Sequence, residues 1–481
     1  MDAGDYSRRF LVILLLAVVA GAGLYYLPET ICGVKIKRVD LLSDIRVAPP
    51  AVSLDSLWKQ LEREDTIPAI DLAARDSLLR AAAIDSTAAA LRDSLYRVVN
   101  AFAGADSSGL RVEDYSVGHT GLQRFFRALD ESQYSRRPAR IAFMGDSFIE
   151  GDIVVADFRE FLQERFGGGG VGFVPITSTA AQFRPTIRQE AEGWVTRALP
   201  GEKELPHILS GMIFEAGADE VRVSFKTTRF RPSLARVTSL KLLYERNDST
   251  LLRLTYDKPD TLALTLPPSS LPRQFVLDDT LSEGELLFTR ARGFRAYGIA
   301  LEVEGGVVVD NYALRGNSGL VFERLDSSVC AAFNEIRPYD LIILQYGLNV
   351  VSEETLQYGW YRVRVVHLVR HLRKCFPGSD ILMLGVSDRA SRQNGSFQTM
   401  PAVLALLHAQ RQAARQAGVP FWNLFGAMGG RNSMLKFVEQ DWASKDFSHL
   451  NFKGGRIVAK ALMNALMLEK EFYDQIKDTD K

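Results

Sequence analysis

The stretch Ile141-Ala142-Phe143-Met144-Gly145-Asp146-Ser147-Phe148-Ile149-Glu150-Gly151-Asp152 decides how this chain is read. An apolar run closed by glycine and aspartate predicts a buried strand that ends in a turn. Ser147 stands on that turn, just past the carboxyl end of the strand. Far downstream, Asp446-Phe447-Ser448-His449 places an imidazole three residues after a carboxylate. A serine hydroxyl is a weak nucleophile and needs a base. Histidine, with an ordinary pKa near 6.5, can take its proton near neutral pH. An aspartate on the far ring nitrogen fixes the tautomer and stabilises the imidazolium. Ser147, His449 and Asp446 are thus the parts of a nucleophilic acyl-transfer site. Read singly, the first motif is a helix cap and the second an ordinary turn; it is their joint presence that points to chemistry.

Outward from this stretch the chain alternates strand and helix. Strands are predicted near 139–144, 307–312, 340–346, 379–386 and 419–423, and helices near 153–166, 318–334, 355–375, 400–417 and 453–472. That alternation predicts a parallel sheet with helices on both faces. Ligands of such sheets bind beyond the carboxyl ends of the strands. Two more short blocks follow predicted strand ends. Val307-Val308-Val309 leads to Arg315-Gly316-Asn317-Ser318-Gly319, and Asp340-Leu341-Ile342-Ile343-Leu344 leads to Gly347-Leu348-Asn349.

With Gly145-Asp146-Ser147, a downstream glycine (Gly319, with Gly316 as rival), Gly347-x-Asn349 and Asp446-x-x-His449 in this order, the chain resembles the SGNH, or GDSL-type, hydrolases. One departure is visible: Val350 stands where that family often has aspartate after the asparagine. The resemblance implies a flavodoxin-like three-layer α/β/α domain that acts as an ester hydrolase or O-acyltransferase and needs no cofactor. It implies an oxyanion hole made by the backbone N–H groups of Ser147 and Gly319 and the side-chain amide of Asn349, with Asp146 in support. Donors aimed at the developing oxyanion lower the barrier by a few kcal/mol each.

From Ser147 to Gly319 the chain runs 172 residues, far more than one crossover helix needs. Between about 185 and 305 it alternates in the manner of strands, as in Val221-Arg222-Val223-Ser224-Phe225, with polar turns such as Arg246-Asn247-Asp248-Ser249 between. This predicts an inserted β-sandwich, jelly-roll-like and similar in architecture to carbohydrate-binding modules. Its expected role is recognition of a glycan polymer, leaving the chemistry to the α/β part. Gly167-Gly168-Gly169-Gly170 follows a predicted helix and lacks the lysine of a phosphate loop; it reads as a flexible entry to the insertion. His367 and His371 share a helix face, but no glutamate completes a metal motif.

The amino terminus speaks to location. Arg8-Arg9 precede an apolar run, Phe10 to Leu27, whose eighteen residues span about 27 Å as a helix. The expected organisation is a transmembrane signal anchor over 1–27, a helical stalk over 28–117, a first catalytic part over 118–184, the insertion over 185–305 and a second catalytic part over 306–475. Ala20-Gly21-Ala22 keeps a cleaved signal peptide open as the alternative. Basic residues before the run place the rest outside the cytoplasm, in a periplasmic setting anchored to the inner membrane. Lys+Arg and Asp+Glu both number 58, so no net positive charge draws nucleic acid. Cys32, Cys330 and Cys375 match no zinc pattern and no disulfide framework.

The resemblance extends to membrane-anchored envelope proteins that handle O-acetylated cell-wall or surface glycans. It implies an acylated carbohydrate substrate and, as a further partner, a membrane acyltransferase. A lipase or lysophospholipase on the same fold, and a non-catalytic glycan-binding scaffold, are the alternatives.

Overall fold

The structure is a computed structural model that describes residues 109–479, except 200, 259, 260 and 394, together with 30–31 and 34–35. Residues 1–63 form a unit of their own, in which Thr30–Ile31 pairs antiparallel with Val34–Lys35. The expected anchor and most of the stalk lie outside the described residues. Among the described residues no helix is long and apolar enough to cross a membrane.

The strands of the larger unit are, in chain order, β1 (Val112–Glu113), β2 (Ala139–Gly145), β3 (Gly172–Pro175), β4 (Ile187–Glu192), β5 (Trp194–Ala198), β6 (Met212–Ala216), β7 (Glu220–Thr227), β8 (Val237–Arg246), β9 (Leu251–Tyr256), β10 (Thr261–Thr265), β11 (Arg273–Leu281), β12 (Glu283–Thr289), β13 (Arg295–Glu302), β14 (Val307–Ala313), β15 (Leu341–Gln345), β16 (Asp380–Leu384), β17 (Ala390–Gln393), β18 (Ser396–Thr399) and β19 (Phe421–Trp422). The principal helices are α1 (Gln123–Ser132), α2 (Val155–Phe166), α3 (Ser327–Ile336), α4 (Gly359–Cys375), α5 (Pro401–Ala417), α6 (Leu424–Ala427), α7 (Ser433–Glu439) and α8 (Phe452–Thr479).

The central sheet has the order β14-β2-β15-β16-β19-β1; its first five strands run parallel and β1 closes the edge antiparallel. β2 and β15 are buried along their whole length, which is why 141–144 and 341–344 read as unbroken apolar runs rather than as alternation. Numbered by sequence, the parallel strands lie 2-1-3-4-5, the flavodoxin order. With right-handed crossovers, the connection leaving the first strand crosses one face and those after the second, third and fourth cross the other. Accordingly α2 packs with α8, while α4 packs with both α3 and α5. Local signals set the helix ends: Asp326 caps α3 by accepting the N–H groups of Ser328 and Val329, and α5 starts on Pro401 and stops at left-handed Gly418.

Residues 172–302 form a sandwich of two antiparallel sheets. The inner sheet has the order β11-β8-β13-β6-β5, with β3 also pairing β13; the outer has the order β10-β9-β12-β7-β4. Leu240, Leu242, Leu254, Leu286 and Phe288 fill the space between them.

Three expectations need correction. The stalk does not reach 117: β1 extends the central sheet, and the indole N–H of Trp422 donates to the Gly109 carbonyl at 2.8 Å. The sandwich begins at Gly172 rather than 185, because β3 adds to its inner sheet before the chain crosses to β4. The glycine run is not a flexible entry. Gly170 N–H donates to Ser233 O, while the Gly169 and Gly167 carbonyls accept from Val303 and Val307. A Cβ on Gly168 would meet the Val307 backbone at 2.5 Å and one on Gly170 the Leu301 carbonyl oxygen at 2.3 Å, so the run is glycine because three backbones touch there.

The sandwich also fails to be a separable attachment. Glu302 on β13 accepts from Arg337 at 2.8 Å, Arg140 at 2.9 Å and Lys241 at 2.9 Å, with the glutamate and both arginines buried. Asp310 on β14 accepts from Arg337 at 2.6 and 2.7 Å, from the Tyr339 hydroxyl at 2.6 Å and from the Phe173 N–H at 2.8 Å. The inner sheet is thus tied to the α/β layer by charges that the sequence alone did not pair.

Candidate active site

Ser147 stands two residues past the end of β2, at the carboxyl edge of the sheet and at the point where the strand order reverses. Asp146, fully buried, accepts the Phe148 N–H at 3.0 Å and shapes the turn. The Ser147 hydroxyl lies 3.0 Å from His449 Nε2, and His449 Nδ1 lies 2.7 Å from Asp446 Oδ2. With Nδ1–H donating to the carboxylate, Nε2 is left as the acceptor facing the serine. The other Asp446 oxygen accepts the backbone N–H groups of Ser448 at 3.0 Å and His449 at 3.1 Å. Burial tends to raise the Asp446 pKa, but the bonds from His449 and from the two N–H groups outweigh it and hold the carboxyl below its ordinary range. The side chains of His449 and Asp446 are 44% and 49% exposed, so the imidazole is open to solvent.

Phe447, between the two, holds a left-handed backbone (φ 54°), uncommon for a bulky residue. Its carbonyl accepts the Ala390 N–H, and its ring stacks on Phe397 of the β17–β18 hairpin with centroids 4.1 Å apart.

Asn349 and Gly319 join the same cluster, with their N–H groups turned to protein acceptors. The Asn349 amide donates to Asp146 at 2.9 Å and to the Asn317 carbonyl at 3.2 Å; the Gly319 N–H donates to the Asn317 side-chain oxygen at 2.6 Å. Burial pushes the Asp146 carboxyl up to about 6, against the lowering effect of Phe148 N–H, the Asn349 amide and His449. Of the rival glycines, Gly319 (φ 85°) packs where a Cβ would meet the Tyr346 ring at 2.8 Å, whereas Gly316 is exposed with nothing near. Gly319 thus stands in the cluster through its bond to Asn317, while Gly316 lies exposed outside it.

The support beneath the turn is what sequence reasoning missed. Asp152, buried and left-handed (φ 69°), accepts from Arg184 at 3.0 Å, from Asn311 at 2.7 Å, from Arg159 and from Thr186. Burial alone would raise its pKa; the charges of Arg184 and Arg159 reverse this and hold it well below the usual carboxylate range. Asn311 also donates to the Ile149 carbonyl at 2.9 Å and so grips the loop that follows Ser147. Asp152 closes the quoted opening stretch, which was the one available signal; its partners stand up to 159 residues away.

No family model matches the sequence, and no curated protein matches it. Among solved structures, a peptidoglycan O-acetylesterase superposes with a TM-score of 0.62 at 20% identity, over 75% of this chain and 99% of that one. A family two carbohydrate esterase from Cellvibrio japonicus covers 60% of this chain and 98% of its own at 10% identity, with a TM-score of only 0.25. The first likeness shows a shared fold; the second is too weak to argue from.

Proposed function

We propose that this chain is a serine esterase of the SGNH type acting on O-acylated, chiefly O-acetylated, cell-wall or surface carbohydrate. The observation that carries this reading is the hydrogen-bonded series Ser147–His449–Asp446 at the carboxyl edge of a parallel sheet. The fold shared with a peptidoglycan O-acetylesterase supports the substrate class.

In this mechanism His449 Nε2 takes the Ser147 proton as Oγ attacks the acyl carbon. Asp446 keeps the imidazole in the required tautomer and stabilises its charged form. The negative charge on the former carbonyl oxygen falls to the Ser147 N–H, with Gly319 N–H and the Asn349 amide as further donors once they turn from Asn317 and Asp146. The imidazolium returns its proton to the departing sugar oxygen, leaving an acyl-serine. Water, activated by His449, releases the acid; a sugar hydroxyl entering instead would make the enzyme a transferase. No cofactor takes part in these steps.

Ser147→Ala and His449→Ala are each expected to lower turnover of 4-nitrophenyl acetate by about 10³-fold or more, since the members of such a site act as a unit. Near wild-type rates in folded protein would refute the mechanism. Mass analysis of glycan fragments incubated with an acyl donor separates hydrolysis from transfer. We also place the domain outside the cytoplasm, on the strength of Arg8-Arg9 and the apolar run to Leu27. Reporter fusions at residue 120 test this, and a fusion active only in the cytoplasm would refute it.

A further inference from the structure

A cavity of about 180 Å³ lies between the nucleophile turn and the sandwich. Glu150 and Gly151, just past Ser147, form one wall with Ala313–Arg315 at the end of β14. That wall is tied to the nucleophile strand, because Leu314 N–H donates to the Gly145 carbonyl at 2.9 Å. The facing wall belongs to the sandwich and carries Thr177, Thr196 and Ser210, with Phe173 and Met212 as apolar surface. The Thr177 and Thr196 hydroxyls share one hydrogen bond at 2.9 Å, which leaves one O–H to donate outward, while the Ser210 hydroxyl donates to the Met212 carbonyl at 3.1 Å.

The charges at the cavity are satisfied within the protein. Glu150 accepts from Arg315 at 2.9 Å on one side and from Thr179 at 3.4 Å on the other, bridging the two walls. Arg184 is committed to Asp152. A phosphorylated or carboxylated ligand would have to break one of these pairs. The space, about that of six waters, is short for a long acyl chain. What fits is a compact ring with hydroxyl edges and apolar faces, in keeping with sites that fix orientation through a few polar groups on an apolar lining.

We propose that this cavity is a subsite for one uncharged sugar ring of the glycan substrate, next to the ring whose ester Ser147 attacks. The proposal rests on the esterase reading above. It assigns the sandwich a direct part in substrate selection, through its edge rather than its outer sheet. Arg188, Glu190, Arg222, Lys226, Arg253 and Glu285 stand outward on that sheet, and no aromatic ring stands among its described outward positions to receive a sugar.

Thr177→Phe, at a half-buried position, and Thr196→Trp, at an exposed one, each fill the cavity from the sandwich side. The probe is O-acetylated glycan strands released from bacterial peptidoglycan, with 4-nitrophenyl acetate, which has no second ring, as the reference. The ratio of kcat/KM on strands to kcat/KM on the reference is expected to fall at least tenfold in both variants, mainly through KM, and to recover in Thr177→Ser. An unchanged ratio in variants that melt like wild type overturns the proposal. Calorimetric binding of the same strands to Ser147→Ala protein keeps the two readings apart. Binding lost on adding Thr177→Phe supports the subsite even if the strands are not hydrolysed; undiminished binding, or none to Ser147→Ala itself, overturns it.

Discussion

The two sheets of the sandwich use charge in opposite ways. On the inner sheet Glu302 is 2% exposed along its side chain and holds Arg140, Arg337 and Lys241. On the outer sheet the pair Arg222–Glu192 is 55% and 69% exposed. Water screens the outer pairs, which contribute little and keep the sheet soluble. Glu302, Arg140 and Arg337 have been taken out of water, and they are tolerated there because partners from both domains are held against them. The lesson is that the inner sheet is part of the α/β layer in energetic terms. Through Arg184, Thr186 and Asp152 that dependence reaches the turn that carries Ser147.

The most drastic way to break this contrast is to replace residues 172–302 with a short linker. Arg140 and Arg337 would lose Glu302, and Asp152 would lose Arg184. The expected outcome is a chain without a cooperative melt by circular dichroism and without ester hydrolysis. This goes against the sequence expectation that the insertion leaves the chemistry to the α/β part. A folded, active deletion protein would show that the inner face is only a contact.

A smaller perturbation tests the same interface in place. Arg337→Met leaves Glu302 and Asp310 short of a buried partner, and breaking such a network costs about 3–5 kcal/mol. The urea midpoint should fall accordingly, with the slope unchanged.

Acid offers a third test, and its sign follows from the carboxylates. Guanidiniums offset burial and hold Glu302 and Asp152 well below their ordinary range. Their stabilisation is complete above the unfolded pKa values, about 4, and is lost as pH falls below them. Burial raises Asp146 to about 6 and Asp380 to about 7. These two stabilise below pH 4 and lose that contribution as pH rises through 6–7. Urea midpoints measured from pH 3 to 8 should therefore peak on the acid side of neutrality and drop below pH 4. In Arg337→Met the acid drop should be shallower.

The smallest effect belongs to the outer sheet. Glu192→Ala should change stability by less than about 1 kcal/mol and vanish into error at high salt. A loss comparable to that of Arg337→Met would erase the distinction between the faces.

Some of this was legible residue by residue. Leu341–Gln345 reads as a strand because both faces are buried, so every position is selected for the same property. Gly172-Phe173-Val174-Pro175 did not, because glycine and proline at its ends read as a break although the segment pairs β13 from Gly172 to Pro175. β1 escaped for a similar reason: two residues carry no period, and Glu113 looks like solvent-facing charge until it is seen paired with Arg411.

The sequence by itself determined the five parallel strands and the helices that alternate with them, and it singled out Ser147, Asp446 and His449, because strand ends, turns and the Asp446–His449 spacing are local. It could not determine which of Gly316 and Gly319 enters the site, where the Asn349 and Gly319 N–H groups point, or that Asp152, Arg184 and Asn311 hold one turn. Those outcomes depend on side chains brought together from distant parts of the chain, and on which charges lose contact with water. Neither is encoded in any single stretch; both follow from how the sandwich is seated on the α/β layer.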